Sequence, residues 1–327
     1  MASFKATLKP LLIASFILGG ASAVSAAEIV LKAITYIPPS KVEDSMTVFK
    51  MWVGKVNEAA KGELRIDILG GPDVFPVNDQ VNALSKGLAD IVMTFTAHTA
   101  LVPEMDTTGI SEITPDEERK VGYFELLDKA HNKINVKLIG RTATTSGFFI
   151  FSKEPIQKLA DFKNLKIRSH SGYDPFFKKL GANPIGMSIS EIYGGLERGI
   201  VTAAPYNIFI YDLGMHDVTK YVLADAFWPS HTTVTLMNLK KFNSLSPKLQ
   251  DILANAQLEV EKEMPGIIAD MIKTERGKLE AEGMVFTHLS PEEVKEFRQM
   301  ANDSRWEVLA TKLDPARLEK IKGMITK

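Results

Sequence analysis

The chain has 327 residues, of which 45% are hydrophobic and 24% charged, with a formal net charge of −1 at neutral pH and no cysteine. Charges of both signs spread along the chain argue against a nucleic-acid partner, and the absence of cysteine excludes disulfides, thiolate metal sites and a lipid-bearing cysteine. A chain of this length buries enough surface to stand on packing alone, and its length suggests two domains.

Read in chain order, Lys5 and Lys9 precede an apolar run from Leu11 to Gly20, and small residues follow from Ala21 to Ala27. The run is well short of the ~20 residues a spanning helix needs and has no polar face. Residues 1–27 are therefore expected to be a cleaved secretory signal, which places the mature protein in the periplasm. Ile29 to Ile34 reads as a buried strand. Phe49, Trp52, Val53, Val56 and Ala60 fall at helical spacing before a stop at Gly62. Leu64, Ile66 and Ile68 alternate as a strand does, a helix from about Gln80 to Lys86 stops at Gly87, and Ile91 to Thr94 is the next strand. Thr114-Pro115 with Glu117 forms a capping box with proline at the first helical position. Val136 to Ile139, Gly147 to Ser152 and Thr232 to Leu239 are further strands. Helices are expected to open at Ser246-Pro247 and at the capping box Ser290-Pro291 with Glu293, and a last one around Leu318 and Ile321. This alternation predicts α/β architecture with helices on both faces of doubly wound sheets.

The segment from Asp161 to Asn207 is the most specific. Asp161-Phe-Lys-Asn-Leu-Lys-Ile-Arg168 is a strand that ends on a cation. Leu180-Gly-Ala-Asn-Pro184, Met187-Ser-Ile-Ser-Glu-Ile-Tyr193 and Leu196-Glu-Arg-Gly-Ile-Val-Thr202 follow it. Strand carboxyl ends line the ligand crevice of open α/β sheets, and a guanidinium there suits a carboxylate. Glu191 closes a capping box with Ser188, so its role is structural.

These motifs, in this order, resemble those of the solute-binding proteins of tripartite ATP-independent periplasmic (TRAP) transporters. Glu63 to Ile68 with Gly70-Gly71, Leu84-Ser-Lys-Gly87 with Ala89-Asp90, and Leu245-Ser-Pro-Lys-Leu-Gln250 extend the likeness over most of the chain. Thr202-Ala203 departs from the family's aspartate-glycine. The resemblance implies a periplasmic binding protein type II-like fold: two α/β domains joined by strands crossing near 147–152 and 232–239, with the ligand cleft between them. Domain I would be 28–150 plus about 240–285, and domain II 151–239 plus about 286–327. It also implies that Arg168 holds the ligand's carboxylate.

Phe148 stands where many family members carry a second arginine. Successive strand side chains face opposite ways, so one of Phe148 and Phe149 is expected to face the cleft. Strict counting places Tyr206 where the family has a ligand-contacting asparagine, with Asn207 one place on, and both are candidates. Trp228 is a candidate to stack on a ligand or to fill the core, and His170 is a candidate cleft residue. Tyr36, Phe75 and Thr96 are candidates in first-domain loops, and Arg141 is a remote candidate for a second cation. The six histidines show no metal-ligand spacing, and neither a phosphate loop nor a nucleophile elbow is present, so no metal, cofactor or catalysis is expected. The expected function is capture of a small organic acid for integral membrane TRAP subunits, without chemistry. The aromatic candidates favour an aromatic or hydrophobic monocarboxylate. The rivals are the binding protein of an ATP-driven importer and a ligand-presenting sensor protein.

Overall fold

The computed structural model describes residues 1–2, 27–95, 98, 100–144, 147–170, 172–228 and 231–326. Most of the signal segment, and Thr96, therefore lie outside the described residues.

The first lobe opens β1 (Ile29–Thr35), α1 (Asp44–Ala59), β2 (Leu64–Gly70), α2 (Gln80–Ser85) and β3 (Ile91–Phe95). Then come a 3-10 stretch (Pro103–Ile110), α3 (Pro115–Lys120), α4 (Tyr123–Asn132) and β4 (Val136–Thr144). The second lobe follows with β5 (Phe148–Ser152), β6 (Lys166–Ser169), α5 (Asp174–Lys179), β7 (Asn183–Gly186), α6 (Ile192–Glu197), β8 (Ala203–Tyr206), α7 (Met215–Val218) and β9 (Tyr221–Trp228). The chain ends with β10 (His231–Asn238), α8 (Leu239–Asn243), α9 (Pro247–Ala281), β11 (Val285–Thr287), α10 (Pro291–Ala310) and α11 (Pro315–Ile325).

Two sheets result, of order β2-β1-β3-β10-β4 and β11-β9-β5-β8-β6-β7. β1, β2 and β3 run parallel, as do β6, β7 and β8. β10 is antiparallel to both of its neighbours, and so is β5. The chain passes between the sheets three times, in two short links, β4 to β5 and β9 to β10, and again through α9 to β11. β5 lies wholly in the second sheet and β10 wholly in the first, so the crossings fall at the ends of the strands expected to span both.

The capping boxes at Thr114, Ser188 and Ser290 are all formed. Helices stop at Gly87 and Gly181 with φ of 77° and 78°, a conformation that costs glycine least. The apolar face of α1 packs with that of α9 against the first sheet, with Trp52 buried and its Nε1 donating to the Leu253 carbonyl at 3.1 Å. α9 lies so close to β4 that a Cβ on Gly140 would fall 2.0 Å from Gln257. This 35-residue helix continues past Pro265 to bury Leu279 in the second lobe's core. α10 packs on β9 and α5 of the second lobe and on the 3-10 stretch of the first, while α11 packs on α4.

Candidate functional site

The carboxyl ends of the parallel strands of both sheets open onto one cavity of about 1160 Å³ between the lobes. From the first sheet, Tyr36 follows β1 and Phe95 ends β3. From the second, Arg168 and His170 come at the end of β6, and Tyr206 closes β8. All five line the cavity. This is where open α/β sheets place ligands, because strand ends and the loops after them are free of helix cover.

Arg168 is 6% exposed. Its Nε donates to the Met187 carbonyl at 3.0 Å, which fixes the plane of the guanidinium and leaves both Nη groups. Among the described residues it has no carboxylate partner. Burial lowers its pKa, against the opposing pull of Tyr173 and Tyr206. A buried cation without a counter-charge is costly, and a bound anion removes that cost.

His170 is neutral. Burial, then the charges of Arg168, Arg305 and Lys312, hold its pKa down to about 3. Its Nδ1 accepts from the Gly172 N–H at 3.0 Å, so the proton resides on Nε2. Tyr173 packs on the ring at 3.8 Å between centroids.

The alternatives left open by the sequence resolve as follows. Phe148 lines the cavity and Phe149 does not; the latter packs against the second lobe's core. The ladder shifts register between Phe148 and Ile150, pairing Phe148 with Trp228, and this sets which ring faces in. Phe75 is half-buried against the core and also lies off the cavity wall. Tyr206 and Asn207 are both on the wall, but the Asn207 side chain is already engaged. Its Nδ2 donates to Glu43 at 2.8 Å and its Oδ1 accepts from the Phe209 N–H at 3.0 Å. Trp228 is on the wall with Tyr173 4.8 Å away between centroids and the Arg305 guanidinium 4.0 Å over its ring. Arg141 is no second cation for the cleft: it is buried in an ion pair with Glu118, away from the wall.

The wall residues that came unannounced include Arg305, Lys312 and Glu43. Arg305 on α10 pairs with Asp106 at 3.2 Å, and Lys312 holds the other oxygen of the same carboxylate at 2.7 Å. One carboxylate thus faces two cations. The third is Glu43, buried at the start of α1, whose Oε1 accepts from Tyr36 Oη at 3.0 Å as well as from Asn207. Burial, aided by the neighbouring Asp44, pushes its carboxyl up to about 8. Nothing in the sequence marks these positions: a glutamate before a helix reads as a cap, and Arg305 reads as one more charge on a solvated face.

A pH dependence of stability follows for the unliganded protein. Between about 4.5 and 8 the folded state holds a proton on Glu43 that the unfolded chain has lost, so stability falls as pH rises. Between about 6.5 and 3 the unfolded chain protonates His98 and His170, which the fold keeps neutral, so stability falls as pH drops. Each group contributes at most about 1.4 kcal/mol per pH unit. Urea midpoints across this range should trace a dome whose alkaline limb flattens in Glu43→Gln; an alkaline limb identical in the two proteins would contradict the assignment.

The family model for bacterial extracellular solute-binding protein, family 7, matches residues 38–311. The 2,3-diketo-L-gulonate-binding periplasmic protein YiaO of Escherichia coli K12 is 25% identical over 288 residues, covering 83% of this chain and 86% of that protein. An uncharacterised Haemophilus influenzae protein is 28% identical over 213 residues, with 61% of this chain matched to 63% of that protein. Among solved structures, a TRAP periplasmic solute-binding protein from Desulfovibrio salexigens with bound orotic acid superposes with a TM-score of 0.79 at 17% identity. The superposition covers 91% of this chain and 97% of that one.

Proposed function

We propose a function that proceeds from one premise: the chain belongs to the bacterial extracellular solute-binding proteins, family 7, the receptors of TRAP transporters. In this reading it is a periplasmic receptor that takes a small organic acid between its lobes, holds the carboxylate on Arg168 and delivers it to the membrane subunits. The observation that carries it is the buried Arg168 guanidinium, which lines the cavity with neither Nη group hydrogen-bonded and no acidic partner among the described residues. Two parallel N–H donors match the two oxygens of a carboxylate. The diketogulonate and orotic acid named for the relatives are organic acids, which accords with this chemistry. Binding without covalent chemistry is the corresponding role, and family membership favours a TRAP transporter over an ATP-driven importer.

An aromatic or hydrophobic monocarboxylate has less support than the sequence suggested. Trp228 already carries the Arg305 guanidinium on its ring, and Phe148 packs into the cluster of Tyr173, Phe227 and Trp228. Those rings are largely occupied with one another.

The lobes touch across the mouth of the cleft. Lys41 Nζ donates to the Asp212 carbonyl at 2.9 Å, the Val42 N–H to its carboxylate at 3.3 Å, and Asn207 reaches Glu43. Such contacts are few and polar, so ligand-free protein is expected to open about the two short links between the sheets. A thermal-shift screen of organic acids should find a stabilising ligand. Small-angle scattering should then show a smaller radius of gyration at saturation. A confirmed ligand that produces no compaction would place the site outside this cleft or make the cleft rigid.

A further inference from the structure

The cavity has a second polar end that the carboxylate-binding reading leaves unused. Glu43 is 5% exposed and occupies the N-cap position of α1, yet its side chain makes no capping bond. It turns toward the cleft instead, where Oε1 takes both the Tyr36 and the Asn207 donors. Oε2 has no hydrogen-bond partner among the described residues, and no cation is paired with the group. Tyr206, on the same wall, is near enough to feel the charge of both Glu43 and Arg168. Among the described residues the cleft thus holds a guanidinium on the second lobe's wall and a carboxyl on the first lobe's wall, neither of them in an ion pair.

A ligand that satisfies only Arg168 leaves Oε2, on a side chain that is 5% exposed, without a protein hydrogen-bond partner among the described residues. A second ligand carboxylate at this end would meet a carboxyl that keeps its proton only up to about pH 8, and would be repelled once that proton is lost. An N–H or O–H donor meets neither penalty. The position at the start of a 16-residue helix adds to this, since the helix dipole favours the ionised carboxylate once a donor offsets the cost of burial.

We infer that Glu43 is the second recognition pole of the cleft, and that the ligand is a small acid bearing an ammonium, N–H or hydroxyl donor at the end opposite the carboxylate on Arg168. This rests on the reading of Arg168 given above. Bare monocarboxylates and dicarboxylates are then the poorer ligands. A protonated Glu43 would serve an acceptor on the ligand instead, and the two cases move oppositely with pH. Donor-bearing ligands, and ammonium compounds above all, bind more tightly as pH rises from 6 to 8, whereas acceptor-bearing ligands bind more weakly.

The test is calorimetry on the full mature protein with matched four- and five-carbon acids: butyrate, 3- and 4-hydroxybutyrate, 3- and 4-aminobutyrate, succinate, and their five-carbon counterparts. At least one donor-bearing member should bind tenfold or more tightly than its bare and dicarboxylate counterparts, with affinity rising from pH 6 to pH 8. In Glu43→Ala that margin should shrink to within twofold. Glu43→Gln should keep hydroxy acids and lose amino acids. Thermal unfolding of each unliganded variant verifies that it is folded, and Gln is the isosteric choice should Ala fail. The inference is overturned if bare acids or dicarboxylates match the donor-bearing compounds, if the margin survives in the folded variants, if affinity falls toward pH 8, or if nothing in the panel binds. Arg168→Ala separates the two claims. Loss of all binding without any Glu43 margin sinks this inference alone, whereas unchanged binding sinks the carboxylate site as well.

Discussion

Arg168→Ala is expected to weaken ligand binding by roughly 3–5 kcal/mol, more than a hundredfold in affinity, because it strands a buried carboxylate without its counter-charge. The fold should tolerate the change. Among the described residues the side chain makes one hydrogen bond, from Nε to the Met187 carbonyl, and the unliganded variant is relieved of a buried cation that has no carboxylate partner among them. The unliganded variant should therefore unfold at or above the wild-type temperature even as it loses the ligand. Arg168→Lys should also bind poorly, since an ammonium cannot present two parallel N–H groups in one plane. Wild-type affinity in the alanine variant, measured by calorimetry, would remove Arg168 from the site.

The second large effect concerns stability rather than binding. Arg141 is 1% exposed, and its guanidinium meets Glu118 from α3, the Thr108 carbonyl at 2.7 Å and Thr232 Oγ1 at 3.4 Å. Ser111 donates to the same Glu118 oxygen at 2.6 Å. One side chain thus ties β4, β10, α3 and the 3-10 stretch that carries Asp106 to the cavity wall. Burial lowers its pKa to about 10, which leaves it charged at neutral pH. Arg141→Met should cost about 3–5 kcal/mol of folding free energy by leaving Glu118 buried without its counter-charge. The double variant Arg141→Met with Glu118→Leu should recover much of that loss, because two apolar groups need no partner. Urea denaturation of the two proteins decides the matter; a single variant as stable as wild type would show that the pair carries no net weight.

The elements that repeat a local rule were legible in the sequence. The Thr114, Ser188 and Ser290 capping boxes, the glycine stop at Gly87 and the alternation in β2 all report short-range chemistry, and each formed as expected. The place of Arg168 on the cavity wall was legible because a cation at the carboxyl end of a short apolar strand has a defined address in an α/β sheet, while its role as a carboxylate holder came from the family resemblance. What could not be read was set by long-range packing. Whether Phe148 or Phe149 faces in depends on a register shift against β9, some 75 residues along the chain. Arg305 and Lys312 reach the cleft only because α10 packs on both β9 and the 3-10 stretch. Glu43 has the sequence position of an ordinary helix cap, and only the fold shows that its side chain turns away from α1 toward Tyr36 and Asn207. Phe75 failed as a candidate because the loop after β2 folds its ring onto the core.

The central claim is that the cavity between the lobes holds an organic acid by its carboxylate. A crystal structure of the protein with a ligand taken from the organic-acid screen tests this most directly. The expected result is a closed cleft with the ligand's two carboxylate oxygens within hydrogen-bonding distance of the Arg168 Nη groups, Tyr206 and His170 beside them, and Asn207 still bonded to Glu43. A ligand seated elsewhere, or one whose carboxylate lies on Arg305 with Arg168 still unpaired, would contradict it.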